Sequence, residues 1–158
     1  MKKLLRLSGL LAVVTGIILI IGGVWGITFT YSNVAQENIV TPSDASIPEA
    51  DVRGPFTLKA QAEIIREHAL NMTGGQTYAE MPRLVPELDD SGEAVLDEDG
   101  EPMMVPNPGR DVWITVTALT TALNLAIVTY AFSGLVLLFG SISVWTGGIF
   151  FALARRER

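Results

Sequence analysis

The chain has a single histidine, His68, and two nearby carboxylates that could share chemistry with it. Glu63 and Glu67 are four residues apart, so on a helix they project from one face, whereas the neighbours Glu67 and His68 point apart. An iron site with two histidines and one carboxylate, and the HExxH zinc site, each need two histidines. One histidine excludes both sites within a single chain. We interpret His68 as a polar helix residue that makes a local hydrogen bond.

Two acidic turns, at 89–92 and 97–100, are a second source of possible ligands, because carboxylates are the hard oxygen ligands that calcium prefers. The EF-hand pattern fails here. Val95 stands where an acid is needed two residues before Asp97, and Pro106 stands where the glutamate that ends the loop is needed. We therefore interpret these segments as solvated turns and expect no metal-binding residues.

No other catalytic pattern occurs in the sequence. Nucleophile-elbow, P-loop and dinucleotide fingerprints are absent. The absence of cysteine excludes disulfides and a lipoprotein anchor. Residues 37–111 carry 16 acidic and 5 basic side chains, and this negative charge disfavours nucleic-acid binding. We expect no catalytic residue, no cofactor and no nucleic-acid partner.

The charged side chains are distributed unevenly along the chain. Residues 7–36 and 112–154 contain none of them. A hydrocarbon core of about 30 Å needs about 20 apolar helical residues, so 7–29 is long enough for a first transmembrane helix. That run is too long for the core of a cleaved signal peptide, which has about 7 to 15 residues. The sequence predicts an integral membrane protein.

Basic residues predict the orientation of the spans. They flank the two apolar runs at Lys2, Lys3, Arg6, Arg155, Arg156 and Arg158. The positive-inside rule places both clusters in the cytoplasm, which requires an even number of crossings. A hairpin turned at Ser133 and Gly134 would make three crossings and leave the terminal arginines outside. We therefore predict that the second run is one long helix.

The predicted fold is mainly α, with two transmembrane helices and a small extracytoplasmic helical domain at the plasma membrane. Its parts are a cytoplasmic N-terminus (1–6), transmembrane helix 1 (7–29), the extracytoplasmic domain (30–111), a projecting helix (112–130), transmembrane helix 2 (131–153) and a cytoplasmic C-terminus (154–158). The projecting helix continues into the second span without a break. Asp111 is placed to cap its first turn.

An apolar seam predicts a helix over 58–72, with residues that alternate by four and three positions: Leu58, Ala62, Ile65, Ala69 and Met72. The projecting helix has a seam of the same period: Val112, Val116, Leu119, Leu123, Ala126 and Tyr130. We expect the two seams to bury each other. Thr77 and Glu80 resemble a capping box and predict a short helix at 78–81. The proline-rich acidic stretch 82–110 predicts a loop with at most a weak β-hairpin.

Small residues recur along both apolar runs. The first run has Ser8, Ala12, Gly16, Gly22 and Gly26, and the second has Ala126, Thr129, Ser133, Gly140, Ser143 and Gly147. Such residues let helices approach closely where lipid supplies no hydrophobic drive. They could pack the two spans together, or dock onto a membrane-protein partner or a second copy. No ionisable residue lies in either run apart from Tyr130 at the expected outer edge, which disfavours a transporter core or channel.

Five stretches carry a family resemblance: Gln36-Glu37-Asn38-Ile39-Val40, Gly54-Pro55-Phe56-Thr57, Ala60-Gln61-Ala62-Glu63-Ile64-Ile65, His68-Ala69-Leu70 and Thr73-Gly74-Gly75-Gln76-Thr77-Tyr78-Ala79-Glu80. In them the chain resembles an uncharacterised family of actinobacterial two-span membrane proteins, often labelled "aromatic ring-opening dioxygenase LigA". The resemblance implies a membrane location and topology. The label is unsupported, because extradiol ring opening needs two histidines and a carboxylate. The acidic stretch 82–110 departs from the family pattern, in which the last helix follows more directly.

Two functions remain open on the sequence. We expect a non-catalytic accessory or scaffold component of a cell-envelope or membrane complex, in contact with the lipid bilayer. The alternative is a ligand-sensing or lipid-handling module that uses the groove between helix 58–72 and helix 112–130. The first requires a partner or a second copy, and the second requires that the groove be open.

Overall fold

The computed structural model describes residues 1–156 and is mainly helical. Its elements in chain order are α1 (Lys2–Gln36), α2 (Pro55–Met72), β1 (Leu84–Pro86), β2 (Met104–Pro106) and α3 (Pro108–Arg156). Residues 157 and 158, which belong to the predicted cytoplasmic C-terminus, lie outside the described residues.

Helices α1 and α3 are the two long apolar elements. They contain 35 and 49 residues, and both are long and apolar enough to cross a membrane. At a rise of about 1.5 Å per residue their lengths are about 52 and 74 Å, so each exceeds a hydrocarbon core of about 30 Å. The second apolar run is a single helix with no turn at Ser133 or Gly134, as predicted. Helix α1 continues to Gln36, well beyond the predicted end of the first span at residue 29.

The two long helices pack antiparallel through small residues spaced by seven. On α1 the buried residues are Gly9, Gly16, Gly23 and Thr30, and on α3 they include Ser133, Gly140, Gly147 and Ala154. A period of seven is typical of helices that coil around each other left-handedly. A Cβ atom on Gly16 would lie 2.6 Å from the carbonyl oxygen of Gly140, so the two backbones are in direct contact there. Both ends of the described chain therefore lie at the same end of the hairpin.

Helix α2 packs against α3, and the two predicted seams meet in two buried clusters. One cluster contains Leu58, Ala62 and Leu123, and the other contains Ala69 and Val116. Two seam positions depart from the expectation. Met72 is 71% exposed, because α2 ends there, and Leu119 is 49% exposed.

The boundaries of α2 follow from local chemistry. Pro55 occupies the first turn, where its missing N–H is not needed, so the helix begins earlier than the predicted residue 58. The Oγ1 of Thr57 accepts a hydrogen bond from the N–H of Gly54 at 3.2 Å. At the other end Gly74 has a φ of 62°, and the Gly75 N–H donates to the Leu70 carbonyl at 2.7 Å. This is a Schellman-type helix end, which glycine favours because it adopts positive φ without strain.

The predicted short helix at 78–81 is wrong. The segment is a single turn, in which the Met81 N–H donates to the Thr77 carbonyl at 3.3 Å. The predicted capping interaction does form, since Glu80 Oε2 accepts from the Thr77 N–H at 2.7 Å. A helix cannot propagate further, because Pro82 has no N–H and disfavours helical backbone at Met81.

The predicted cap of the last helix is also wrong. Helix α3 begins at Pro108, so Asp111 lies within its first turn instead of preceding it. Asn107 stands before the helix, and its Oδ1 accepts from the Gly109 N–H at 2.9 Å. The Asp111 carboxylate still complements the positive end of the helix dipole.

The stretch predicted as a loop at 82–110 contains a small β-tongue, which we define as residues 84–106. Strands β1 and β2 pair antiparallel with Val85 opposite Val105. Between them the chain repeats an eight-residue pattern at 88–95 and 96–103, Leu-Asp-x-x-Gly-Glu-x-x. Each repeat turns at a glycine, Gly92 and Gly100, with φ of 82° and 83°. The weak hairpin that we expected is therefore a strand pair closed by two tight turns.

Candidate functional site

A groove of about 550 Å³ lies where α1, α2 and α3 meet. Its buried residues are Thr30, Leu58 and Leu123, and its exposed rim includes Leu119 and Leu125. Leu58 and Leu123 belong to the two predicted seams, so the groove lies between the helices that the sequence singled out. The last turns of α1, which we did not include in the prediction, form its third wall.

Small side chains on α3 leave this space open. Ala122 and Ala126 both line the groove, opposite the α2 residues Leu58 and Ile65. Larger side chains at Ala122 and Ala126 would fill the groove, because protein interiors are close-packed wherever side chains can reach. The seams therefore bury each other only in part.

The polar groups of the groove are few, and most of their donors are used within their own helices. Thr30 Oγ1 donates to the Gly26 carbonyl at 2.8 Å, and Thr129 Oγ1 donates to the Leu125 carbonyl at 2.9 Å. Asn33 Nδ2 donates to the Phe29 carbonyl at 2.8 Å. The groups left without such a bond are the Asn33 side-chain oxygen and the carboxylate of Glu37, the one acidic residue of the lining. Such a surface is mainly apolar and can hold a hydrocarbon chain.

A polar cluster near one end of the groove ties the loop 38–53 to both long helices. The Tyr130 hydroxyl donates to the Arg53 carbonyl at 2.7 Å, and Arg53 Nη1 donates to the Tyr31 hydroxyl at 3.4 Å. Arg53 Nη2 also lies 3.1 Å from Asp51 Oδ2. The hydrogen bond to Tyr31 and the charge of Asp51 raise the pKa of Arg53 above its usual value. The loop is thereby held beside the groove.

His68 and Glu63 each pair with a different residue. His68 Nε2 lies 2.7 Å from Asp44 Oδ2, a partner 24 positions away, so the expected local hydrogen bond is not the one formed. Glu63 pairs instead with Lys59 at 3.3 Å. Among residues 1–156, no side chain hydrogen-bonds the other ring nitrogen of His68. The pair links the loop 38–53 to α2, and the hydrogen bond from His68 lowers the pKa of Asp44 below its ordinary value.

The acidic turns of the β-tongue use their carboxylates internally. Asp89 Oδ1 accepts from the Ser91 hydroxyl at 2.8 Å, and Asp97 Oδ1 accepts from the Asp99 N–H at 2.9 Å. The hydrogen bonds from Ser91 and Glu93 lower the pKa of Asp89. Within the described residues no three histidine, aspartate or glutamate side chains lie close enough together to hold a metal ion.

Trp113 anchors the end of α2 to the start of α3, a role that the sequence reasoning missed. It is 4% exposed, and its Nε1 donates to the Gln76 carbonyl at 2.9 Å. Arg110 Nη1 donates to the Met81 carbonyl at 2.8 Å, and its guanidinium lies 3.8 Å from the ring centre of Tyr78. The available signal was the spacing of Trp113 from Val116 and Leu123, which places all three on one face of a helix.

Comparison with known proteins supplies no relative for this chain. No family model matches it, and neither a curated protein nor a solved structure is similar to it.

Proposed function

We propose that this protein is a non-catalytic two-span membrane protein that holds the hydrocarbon chain of a lipid in its groove. The observation that carries the proposal is the open apolar groove between α1, α2 and α3. Its polar groups are too few for catalysis, and they are of the kind that orients a ligand in a largely apolar site.

The expected position of the spans supports a lipid as the ligand. If the spans are 7–29 and 131–153, the groove residues Phe29 and Thr129 lie where the outer leaflet ends. From Thr129 to Leu119 the groove wall extends about 15 Å along α3, at about 1.5 Å per residue. A hydrocarbon chain can enter the groove from the end that meets the leaflet, at Phe29 and Thr129. Filling the groove removes its apolar walls from water, which is favourable by about 25 cal/mol for each Å² removed.

The proposed topology places the groove on the outer side of the plasma membrane. The described basic residues of both chain ends lie at one end of the hairpin, and the positive-inside rule assigns that end to the cytoplasm. The connecting segment 37–107, with the groove and the β-tongue, is then extracytoplasmic.

Lipid retention tests the proposal. The protein is purified from phosphatidylcholine liposomes into a mild detergent, and the bound lipid is measured by native mass spectrometry. Ala122→Trp, which places an indole in the groove from its exposed rim, is expected to lose most of the bound lipid. Ala131→Trp, on an exposed position of α3 outside the groove, is the matched control and is expected to retain it. Equal retention by both variants would contradict the proposal.

The β-tongue favours a second candidate, an accessory component of a membrane complex. Leu88 and Leu96, at equivalent positions of the two repeats, are 61% and 57% exposed, and exposed apolar surface of this kind is used in protein contacts. The small-residue stripes offer less to a partner, because Gly16, Gly140 and Gly147 already contact the other helix of the same chain.

Blue-native electrophoresis of membranes solubilised in mild detergent tests the second candidate. A complex that disappears in the double variant Leu88→Ser, Leu96→Ser supports it. Leu84→Ser, which changes an exposed leucine outside the repeats, is the control. Migration of the wild-type protein as a free monomer would contradict the second candidate function.

A further inference from the structure

We infer that the groove selects a lipid of the outer leaflet whose headgroup is cationic, with its ammonium group beside the Glu37 carboxylate. This inference rests on the proposed function and names the class of lipid that the site takes. It follows from the charge at the groove, because the chain of the lipid cannot supply the selectivity.

The free energy gained by filling the groove comes from its apolar walls, which leave water, and it is the same for every lipid with the same chain. The chain itself gains little, because lipid tails are as apolar as the side chains that line the groove. Any selection among lipids must come from their headgroups. The polar groups at the groove therefore decide which lipid it holds.

Those groups are hydrogen-bond acceptors, and one of them is charged. The lining contains Glu37 and no basic residue. Asn33 lies one helical turn before Glu37, so both side chains lie on the same side of α1. Asn33 Nδ2 is already bonded to the Phe29 carbonyl, which leaves its Oδ1 as an acceptor. A headgroup that donates hydrogen bonds and carries positive charge matches this pair.

The carboxylate of Glu37 is left without a counter-charge. The ion pairs of residues 1–156 involve Asp51, Glu63 and Asp44, and none involves Glu37. Glu37 is also the C-cap of α1, and the last turn of that helix contains no basic residue. The carbonyl end of a helix carries partial negative charge, so an acid there is unfavourable and a cation is favoured. A bound ammonium would interact with the carboxylate and the helix end together.

The net negative charge of the segment around the groove also favours a cationic headgroup. Residues 37–111 carry 16 acids and 5 bases, so an anionic headgroup is repelled by the segment as well as by Glu37. At physiological ionic strength these charges act over about 8 Å, which covers a headgroup at the groove rim.

Site-specific quenching tests the inference. Because the chain contains no cysteine, Leu125→Cys places a single bimane label on the exposed rim of the groove. The labelled protein is reconstituted in phosphatidylcholine nanodiscs with a spin-labelled stearyl probe that bears either a trimethylammonium or a sulfate headgroup. We expect the ammonium probe to quench several-fold more strongly than the sulfate probe at equal mole fraction. The same label at Val128→Cys, exposed on α3 outside the groove, measures ordinary contact with lipid.

Two variants of matched charge complete the experiment. Glu37→Gln is expected to abolish the preference for the ammonium probe. Glu67→Gln removes the same charge from an exposed position on the side of α2 opposite Leu58, and it is expected to retain the preference. Circular dichroism checks that both variants are folded.

The quenching experiment distinguishes a wrong headgroup assignment from a wrong assignment of the groove as a lipid site. Equal quenching by both probes at Leu125→Cys, above the level at Val128→Cys and unchanged by Glu37→Gln, would overturn the headgroup assignment and leave the groove as a lipid site. Quenching at Leu125→Cys no stronger than at Val128→Cys with either probe would overturn the lipid site itself.

Discussion

At the scale of single residues, the interactions that hold the connecting segment 37–107 join positions that are distant in the chain. Asp44 contacts His68, Arg53 contacts Tyr31, and Trp113 contacts Gln76. None of these pairs could be predicted from the sequence, because the spacing of residues along a chain specifies only neighbours within one helix or turn. The sequence did identify His68 as a side chain that forms a polar contact, and it excluded the metal sites that need a second histidine.

The Asp44–His68 pair predicts a pH dependence of stability. The hydrogen bond from His68 lowers the pKa of Asp44 below its ordinary value of 3.8, so the folded state binds the proton less tightly than the unfolded state. The stabilisation is fully present above pH 3.8 and is lost as the pH falls through the lowered pKa of the folded state. NMR titration of the Asp44 carboxyl is expected to show this pKa rising towards 3.8 in a His68→Ala variant. An unchanged titration would contradict the assignment.

We expect the buried indole of Trp113 to contribute measurably to the free energy of unfolding. Trp113→Phe keeps most of the buried ring but removes the donor to the Gln76 carbonyl, which leaves that acceptor without its partner. We expect a loss of about 1 to 3 kcal/mol in the free energy of unfolding. Trp145→Phe is the control, since Trp145 is 74% exposed, and it should change stability by less than about 0.5 kcal/mol. Chemical unfolding in detergent micelles, followed by circular dichroism, measures both.

At the scale of elements, periodicity predicted the helices and their contact faces, whereas their ends depended on neighbouring turns. The seams of α2 and α3 meet as expected because a spacing of three and four residues places side chains on one helical face. The predicted short helix at 78–81 does not form, because Pro82 stops helix propagation after one turn. The extent of the β-tongue was not predicted, because the pattern of 88–95 was not recognised again at 96–103. Both copies carry the glycine that their turns require.

The glycines of the long helices predict a position-specific effect of added methyl groups. A Cβ atom on Gly16 would lie 2.6 Å from the Gly140 carbonyl oxygen, whereas one on Gly22 meets nothing within 4 Å. Gly16→Ala must push α1 and α3 apart, at a cost of about 1 to 3 kcal/mol. Gly22→Ala should be neutral or slightly stabilising, because alanine favours a helix over glycine by up to about 1 kcal/mol. Thermal unfolding in detergent separates the two variants, and equal melting temperatures would contradict the observed packing.

At the scale of the whole molecule, the antiparallel hairpin constrains any membrane topology. If α1 and α3 both cross the bilayer, the ends of the described chain share one side and the connecting segment 37–107 lies on the other. The distribution of basic residues predicted that the second apolar run does not turn back at Ser133 and Gly134. The continuous helix from Pro108 to Arg156 confirms this prediction within the described residues.

Cysteine labelling in intact cells checks the proposed orientation. Because the chain contains no cysteine, each introduced thiol reports one position. A membrane-impermeant maleimide is expected to label Ser91→Cys, in an exposed turn of the β-tongue, without permeabilisation. Lys3→Cys, near the chain start, should react only after the membrane is opened. The reverse pattern would invert the orientation, and with it the assignment of the groove to the outer leaflet.

Properties that depend on local spacing and composition could be predicted from the amino-acid sequence. These are the charge-free runs, the helical seams and the lack of a two-histidine site. The packing of the folded chain determines which small residues face each other and which partners Asp44 and Trp113 contact. It also determines that the two seams leave a groove between them. These depend on the relative position of three helices, since a cavity is set by the side chains that every wall contributes. The charge-free run at 112–154 is an example. Its length predicted a long helix, but which parts of that helix contact α1 and which contact α2 depends on the packing.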